Sequence, residues 1–136
     1  IIKYQRKISG PILDRIDLHV EVPRIKFEKL NENVLSESSS AIRERVNKAR
    51  NIQKERFANS KLITNSEMGS IEIKEHCQLS KGSLELMKSA VSRFYLSARA
   101  YYRIIKVART IADLEESSEI NSAHIAEAIQ YRFKTE

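Results

Sequence analysis

Three stretches of this chain carry the same device, and together they constrain most of what it can fold into. Leu79-Ser80 precedes Leu84, Leu96-Ser97 precedes Tyr101, and Ile120-Asn121 precedes Ile125. In each, a Ser or Asn can accept a hydrogen bond from an amide in the next helical turn. The apolar residue before it can meet the one four past the cap. The spacing predicts helices over 81–94, 98–116 and 122–133, with a shorter one near 71–77. The helix over 98–116 aligns Tyr101, Ile104, Ile105, Ala108, Ile111 and Ala112 on one face. Residues 71–133 therefore read as a compact helical bundle with short connections.

The segments upstream are of a different kind. From Ser38 to Phe57 runs a longer helical pattern with Ile42, Val46, Ala49 and Ile52 on a narrow apolar stripe. Arg43, Arg45, Lys48, Arg50, Lys54 and Arg56 cover the rest, so this helix is expected to be mostly solvated or to face a partner. Earlier, Ser9-Gly10-Pro11 breaks the chain, and Ile16, Leu18, Val20 and Val22 then alternate with Asp17, His19 and Glu21 as far as Pro23. That alternation predicts a strand. A single strand is not a sheet. The lone strand, and a start on Ile1 without Met, lead us to expect a piece of a longer protein. The expected fold class is mainly α, a helical bundle preceded by a short strand, with residues 24–37 and 58–69 as connections.

With 136 residues, 41% hydrophobic and 31% charged, the chain can bury a core. No apolar run approaches the roughly 20 residues that cross a bilayer, and the one cysteine, Cys77, has no partner within the chain. Both suit a cytoplasmic setting with no membrane partner. The net charge of +6 is uneven: residues 1–66 carry 14 Lys and Arg against 8 Asp and Glu, whereas residues 67–136 carry 10 of each. The excess permits a phosphate-rich partner such as DNA without demanding one.

Signatures of self-contained catalysis are missing, since the chain has no GxxxxGKS or GxxxxGKT, GxGxxG, HExxH or CxxC. His76-Cys77 lacks a third ligand at a recognisable spacing and reads as structural, so no metal site is expected. His19 and His124 read as ordinary residues of a strand face and a first helical turn. Asp113, Glu115, Glu116 and Glu119 gather at a helix end, where the dipole disfavours them, and read as a solvated turn. The serines at 36, 38, 39 and 40 suit linker and cap chemistry better than nucleophilic catalysis.

Two arginines remain. Arg15 stands between a Gly-Pro turn and the strand, flanked by Asp14 and Asp17, and the residues alone read it as a surface ion pair. Arg99, Arg103, Lys106 and Thr110 follow one another at helical spacing, so they share a polar face opposite the apolar one. A cation in the first turn opposes the helix dipole, which a bound anion would offset. A solvated face is the plainer reading of that pattern.

Four strings carry a resemblance: KISGPILDRIDLHVEVP (Lys7–Pro23), IRERVNKARNIQKERF (Ile42–Phe57), LSARAYYRIIKVARTIADLE (Leu96–Glu115) and INSAHIAEAIQYR (Ile120–Arg132). Together they resemble the C-terminal part of magnesium-chelatase-subunit-I-like AAA+ ATPases, nearest to the bacterial competence-type (ComM/YifB) subgroup. The resemblance covers nearly the whole chain apart from the two connections. It implies that residues 1–23 end the ATPase core with its final strand, 24–37 form a linker, and 38–136 form the C-terminal helical lid. It further implies that the intact protein uses ATP and Mg, and that neighbouring subunits form a homo-oligomeric ring, a hexamer. Hydrolysis would be coupled to DNA remodelling or branch migration.

By the same resemblance, Arg15 would be an arginine finger reaching the neighbouring subunit's γ-phosphate in trans, an effect on the order of 10³–10⁵ in rate. Arg99 would be the sensor-2 residue, touching the ATP phosphate of its own subunit. These 136 residues contain neither Walker segment, so the chain by itself is expected to hold no cofactor and to hydrolyse no ATP. Two alternatives stay open. One is a motor subunit that inserts Mg into a tetrapyrrole; the other is a non-enzymatic helical interaction module whose arginines are surface charges.

Overall fold

Helix starts in this chain are decided by local side-chain chemistry. The computed structural model describes residue 12 and residues 15–24 and 36–132. Among the described residues the α-helices are α1 (Ser39–Arg56), α2 (Ser70–His76), α3 (Lys81–Phe94), α4 (Ala98–Leu114) and α5 (Ser122–Gln130), with a 3₁₀ turn over Asn65–Glu67. Ser38, Ser80 and Ser97 each accept an amide hydrogen bond from three residues on, and Asn121 accepts from Ala123 and His124. These side chains satisfy amides that a helix start otherwise leaves open. At α2, where Gly69 offers no side chain, Glu72 reaches back and accepts from the Gly69 amide at 2.8 Å.

The stops are less usual. Tyr95 and Glu116 lie in the left-handed region, with φ of 49° and 56°. After α4, the Glu116 amide donates to Asp113 O and the Ser117 amide to Ala112 O. This is a Schellman closure with a glutamate where glycine is favoured.

The core is organised around α4, which packs on α1, α2, α5 and the 3₁₀ turn. Ile104, Ala108 and Ala112 of α4 are buried against Met87, Ile120 and Ile125. The alanines keep that face flat enough for close approach, and full burial of each large side chain contributes about 1.5–3 kcal/mol. α3 joins α5. A parallel bridge links Leu79 to Ile120, and the buried Ser83 hydroxyl donates to Ile120 O at 2.8 Å. A side chain at Gly82 would meet Ser122 Oγ at 2.8 Å, so a larger residue there would have to turn that hydroxyl aside.

α1 is held only by its second half. Ala49, Gln53 and Phe57 are buried, whereas Ile42 and Val46 are 42% and 44% exposed. The narrow apolar stripe thus covers the bundle for two turns and then runs on into solvent. Among the described residues no helix is long and apolar enough to cross a membrane.

The expected strand differs in the structure. Residues 16 and 18–24 take no regular secondary structure, and among the described residues there is no strand. Val22 is 85% exposed. Period-2 alternation makes a strand only when a neighbour supplies a hydrogen-bond ladder. The segment bonds instead to the end of the bundle, where the His19 amide donates to Tyr131 O at 2.6 Å. The turn expected over 2–8, most of the 24–37 linker and any helix beyond residue 132 lie outside the described residues.

Candidate functional site

The polar edge of α4 is where the candidate residues meet. Arg99, Tyr102, Arg103 and Lys106 line an open cleft of about 210 Å³ together with Met68 and Ser70. Arg99 is exposed in the first turn, which contains no acidic residue. Lys106 Nζ donates to Ser66 O at 2.8 Å, fastening the 3₁₀ turn to α4. Three cations line this opening: Arg103 and Lys106 are bonded to Asp17 and Ser66, and Arg99 stands at a helix start, where an anion such as phosphate would be favoured. Thr110, expected on the same solvated edge, turns inward: its hydroxyl donates to Lys106 O and accepts from Asn65 Nδ2 at 3.1 Å.

Arg15 comes to this edge through its backbone. Arg103 Nη1 donates to the Arg15 carbonyl and to the Asp17 carboxylate. Arg132 Nη1 donates to Ile16 O at 2.9 Å, and His19 Nδ1 donates to Arg132 O at 3.3 Å. Arg15 itself is exposed. The structure therefore joins the segment bearing one candidate arginine to the helix bearing the other. Asp14, the second flanking carboxylate, lies outside the described residues.

Beneath that edge lies a polar network that the sequence pattern did not announce. Asp113 is 0% exposed, which overturns its reading as part of a solvated turn. Arg56 grips it with both terminal guanidinium nitrogens, Nη1 and Nη2, at 2.7 and 2.5 Å. Asn65 Nδ2 donates to Asp113 at 2.8 Å and Arg109 Nε at 3.1 Å. A buried carboxylate is tolerated only when its oxygens are filled by charged or amide donors. Arg109, also buried, spends its remaining nitrogens on the carbonyls of Ser117 and Ser118. Its pKa is lowered by burial and supported by Asp113. The one local signal was the Arg109–Asp113 spacing of four; Arg56 and Asn65 reach Asp113 across 57 and 48 residues.

The rest of the acidic group divides by partner. Glu116 pairs with Lys48 of α1 at 3.1 Å. Glu115 meets His124 Nε2 at 2.9 Å, while His124 Nδ1 accepts from the Asn121 amide. Because Nδ1 accepts, Nε2 carries the proton and donates to Glu115. His124 is thus a buried cap of α5. His76 stacks edge-on against Phe57 at 5.5 Å, and Cys77 is buried with its thiol 4.0 Å from Met68 Sδ. Burial pushes the Cys77 thiol up to about 11. Among the described residues no group of three metal-ligating side chains occurs.

Comparison with known proteins adds a family. The model described as magnesium chelatase, subunit ChlI C-terminal, matches residues 36–132, and that described as magnesium chelatase, subunit ChlI, matches residues 1–30. The chain is 41% identical over 133 residues to competence protein ComM of Haemophilus influenzae, covering 97% of this chain and 25% of that protein. It is 38% identical to the uncharacterized protein YifB of Escherichia coli, covering 96% of this chain and 25% of YifB. It is 30% identical to an uncharacterized protein of Mycobacterium bovis, covering 96% of this chain and 26% of that protein. The chain spans about a quarter of the length of the curated relatives it matches.

Proposed function

The chain belongs to the magnesium chelatase subunit ChlI family, matching its C-terminal model over residues 36–132, and from that premise we propose that it serves a ring-forming AAA+ motor. Residues 38–136 are the helical lid of this motor, residues 1–23 the end of its ATPase core, and 24–37 the linker. Arg99 contacts the phosphate of ATP bound with Mg by its own subunit. Arg15 acts in trans on ATP held by the neighbouring subunit of a six-membered homo-oligomeric ring, stabilising charge on the transferred phosphoryl group.

What supports this reading is one arrangement. The Arg15 carbonyl is bonded to Arg103, one helical turn along α4 from Arg99, so the segment bearing one candidate arginine is joined to the helix bearing the other. The buried Asp113 network holds α4 against α1, which gives that helix a rigid base. DNA is the proposed substrate of the motor's work, with branch migration as the reaction. In favour of it, one relative bears the name competence protein, and a net charge of +6 suits a polyanion.

The test is ATP turnover by the full-length protein, with and without branched DNA. Turnover that rises on adding DNA is expected, and Arg99→Ala should weaken ATP binding by about tenfold or more, the usual scale for losing a charged phosphate contact. A full-length protein without ATPase activity, or an Arg99→Ala variant with parental affinity and turnover, contradicts the reading.

A further inference from the structure

Hydrogen bonds tie residues 15–19 to the bundle, and two arginines supply several of them. Arg103 of α4 holds the Arg15 carbonyl and the Asp17 carboxylate. Arg132, just past α5, holds the Ile16 carbonyl. The His19 amide and ring donate to the carbonyls of Tyr131 and Arg132. Ile16, Leu18, Val20 and Val22 are all exposed, so little apolar packing fixes the segment. Its placement depends on charge-assisted bonds to consecutive carbonyls and one carboxylate.

We propose that Arg103 is a positioning residue for Arg15, a latch that ties the finger-bearing segment to the helix carrying Arg99. This inference rests on the reading of Arg15 as a trans-acting finger. Arg103 follows Arg99 by one turn on the same helical edge. The place of the Arg15 backbone is therefore tied, through the Arg103 side chain, to that of α4. Arg103 is suited to this because its Nη1 carries two N–H donors and reaches both acceptors, on a guanidinium whose stem length and planar tip differ from those of a lysine ammonium.

Mixed rings of the full-length protein separate this role from general stability. A recipient carrying Arg15→Ala binds ATP but offers no finger. A donor made unable to bind nucleotide can contribute only its Arg15, so turnover of the mixture counts donor fingers. A donor that also carries Arg103→Ala should restore about tenfold less kcat than the parent donor at unchanged KM for ATP, since small misplacements of a catalytic group cost this much or more. Arg103→Lys should fall between the two. Asp17→Ala, made on the exposed side of the same contact, should give the same loss and decides the question if Arg103→Ala does not assemble. Equal restoration by the latch variants and the parent donor overturns the latch while leaving the finger intact. If the parent donor restores nothing, the finger reading fails and the latch falls with it.

Discussion

Arg56 and Asp113 form a bidentate ion pair, 2.7 and 2.5 Å long, with the carboxylate fully buried between α1 and α4. It joins two helices whose apolar contact is modest, because α1 buries only its second half. Such a pair adds little net stability over an apolar substitute, yet removing one partner strands the other in a dry interior.

Asp113→Ala should therefore destabilise the protein by about 3–5 kcal/mol, because Arg56, Arg109 and Asn65 all lose an acceptor. Arg56→Ala should cost a similar amount. Urea denaturation of the parent and both variants reads this out. A loss below about 1 kcal/mol would place the pair with ordinary exposed ion pairs.

Tyr95 is a second local feature with a stability consequence. It is 92% exposed and sits at φ 49°, a left-handed conformation that costs a residue bearing Cβ about 1–2 kcal/mol. Tyr95→Gly should stabilise the fold by about 0.5–1 kcal/mol, the remainder going to the added freedom of the unfolded chain. Glu116→Gly should gain less, since it also removes the contact with Lys48. A lower melting temperature for Tyr95→Gly would mean that the tyrosine makes a contact worth more than its strain.

Helix starts were readable because a cap is a local matter: Ser80, Ser97 and Asn121 meet amides two or three residues away. The stop of α3 was read where it falls, at Phe94, but that of α4 was not, because its left-handed position is filled by Glu116 rather than glycine. α4 accordingly ends at Leu114, short of the expected 116. Asp113 was assigned to solvent because its partners come from distant parts of the chain. The 16–22 alternation was read correctly as a pattern, but a strand needs a neighbour that the described residues do not supply. The two candidate arginines stood out through long strings resembling a known family. No rule of spacing could have joined Arg103 to the Arg15 carbonyl, 88 residues away.

The Cys77 thiol supplies a pH-dependent prediction. Burial raises it from 9.0 to about 11, against the pull of the Arg109 and Arg56 cations. The folded state thus favours the neutral thiol. This contribution to stability is complete below pH 9.0 and is lost as pH rises through about 11. The stability difference between the parent and Cys77→Ala should stay flat up to pH 9.0 and shrink above it. A thiol reagent should label the folded protein slowly at pH 8 and rapidly in denaturant, because the thiolate is the reactive form. Rapid labelling without denaturant would show that the thiol is open to solvent.

Arg15 is proposed to serve hydrolysis rather than binding, and equilibrium ATP affinity measured beside steady-state turnover in full-length Arg15→Ala separates the two. ATP affinity within about twofold of the parent and turnover lower by on the order of 10³ or more are expected. Turnover at the parental rate would contradict the proposal and return Arg15 to the role of a surface charge.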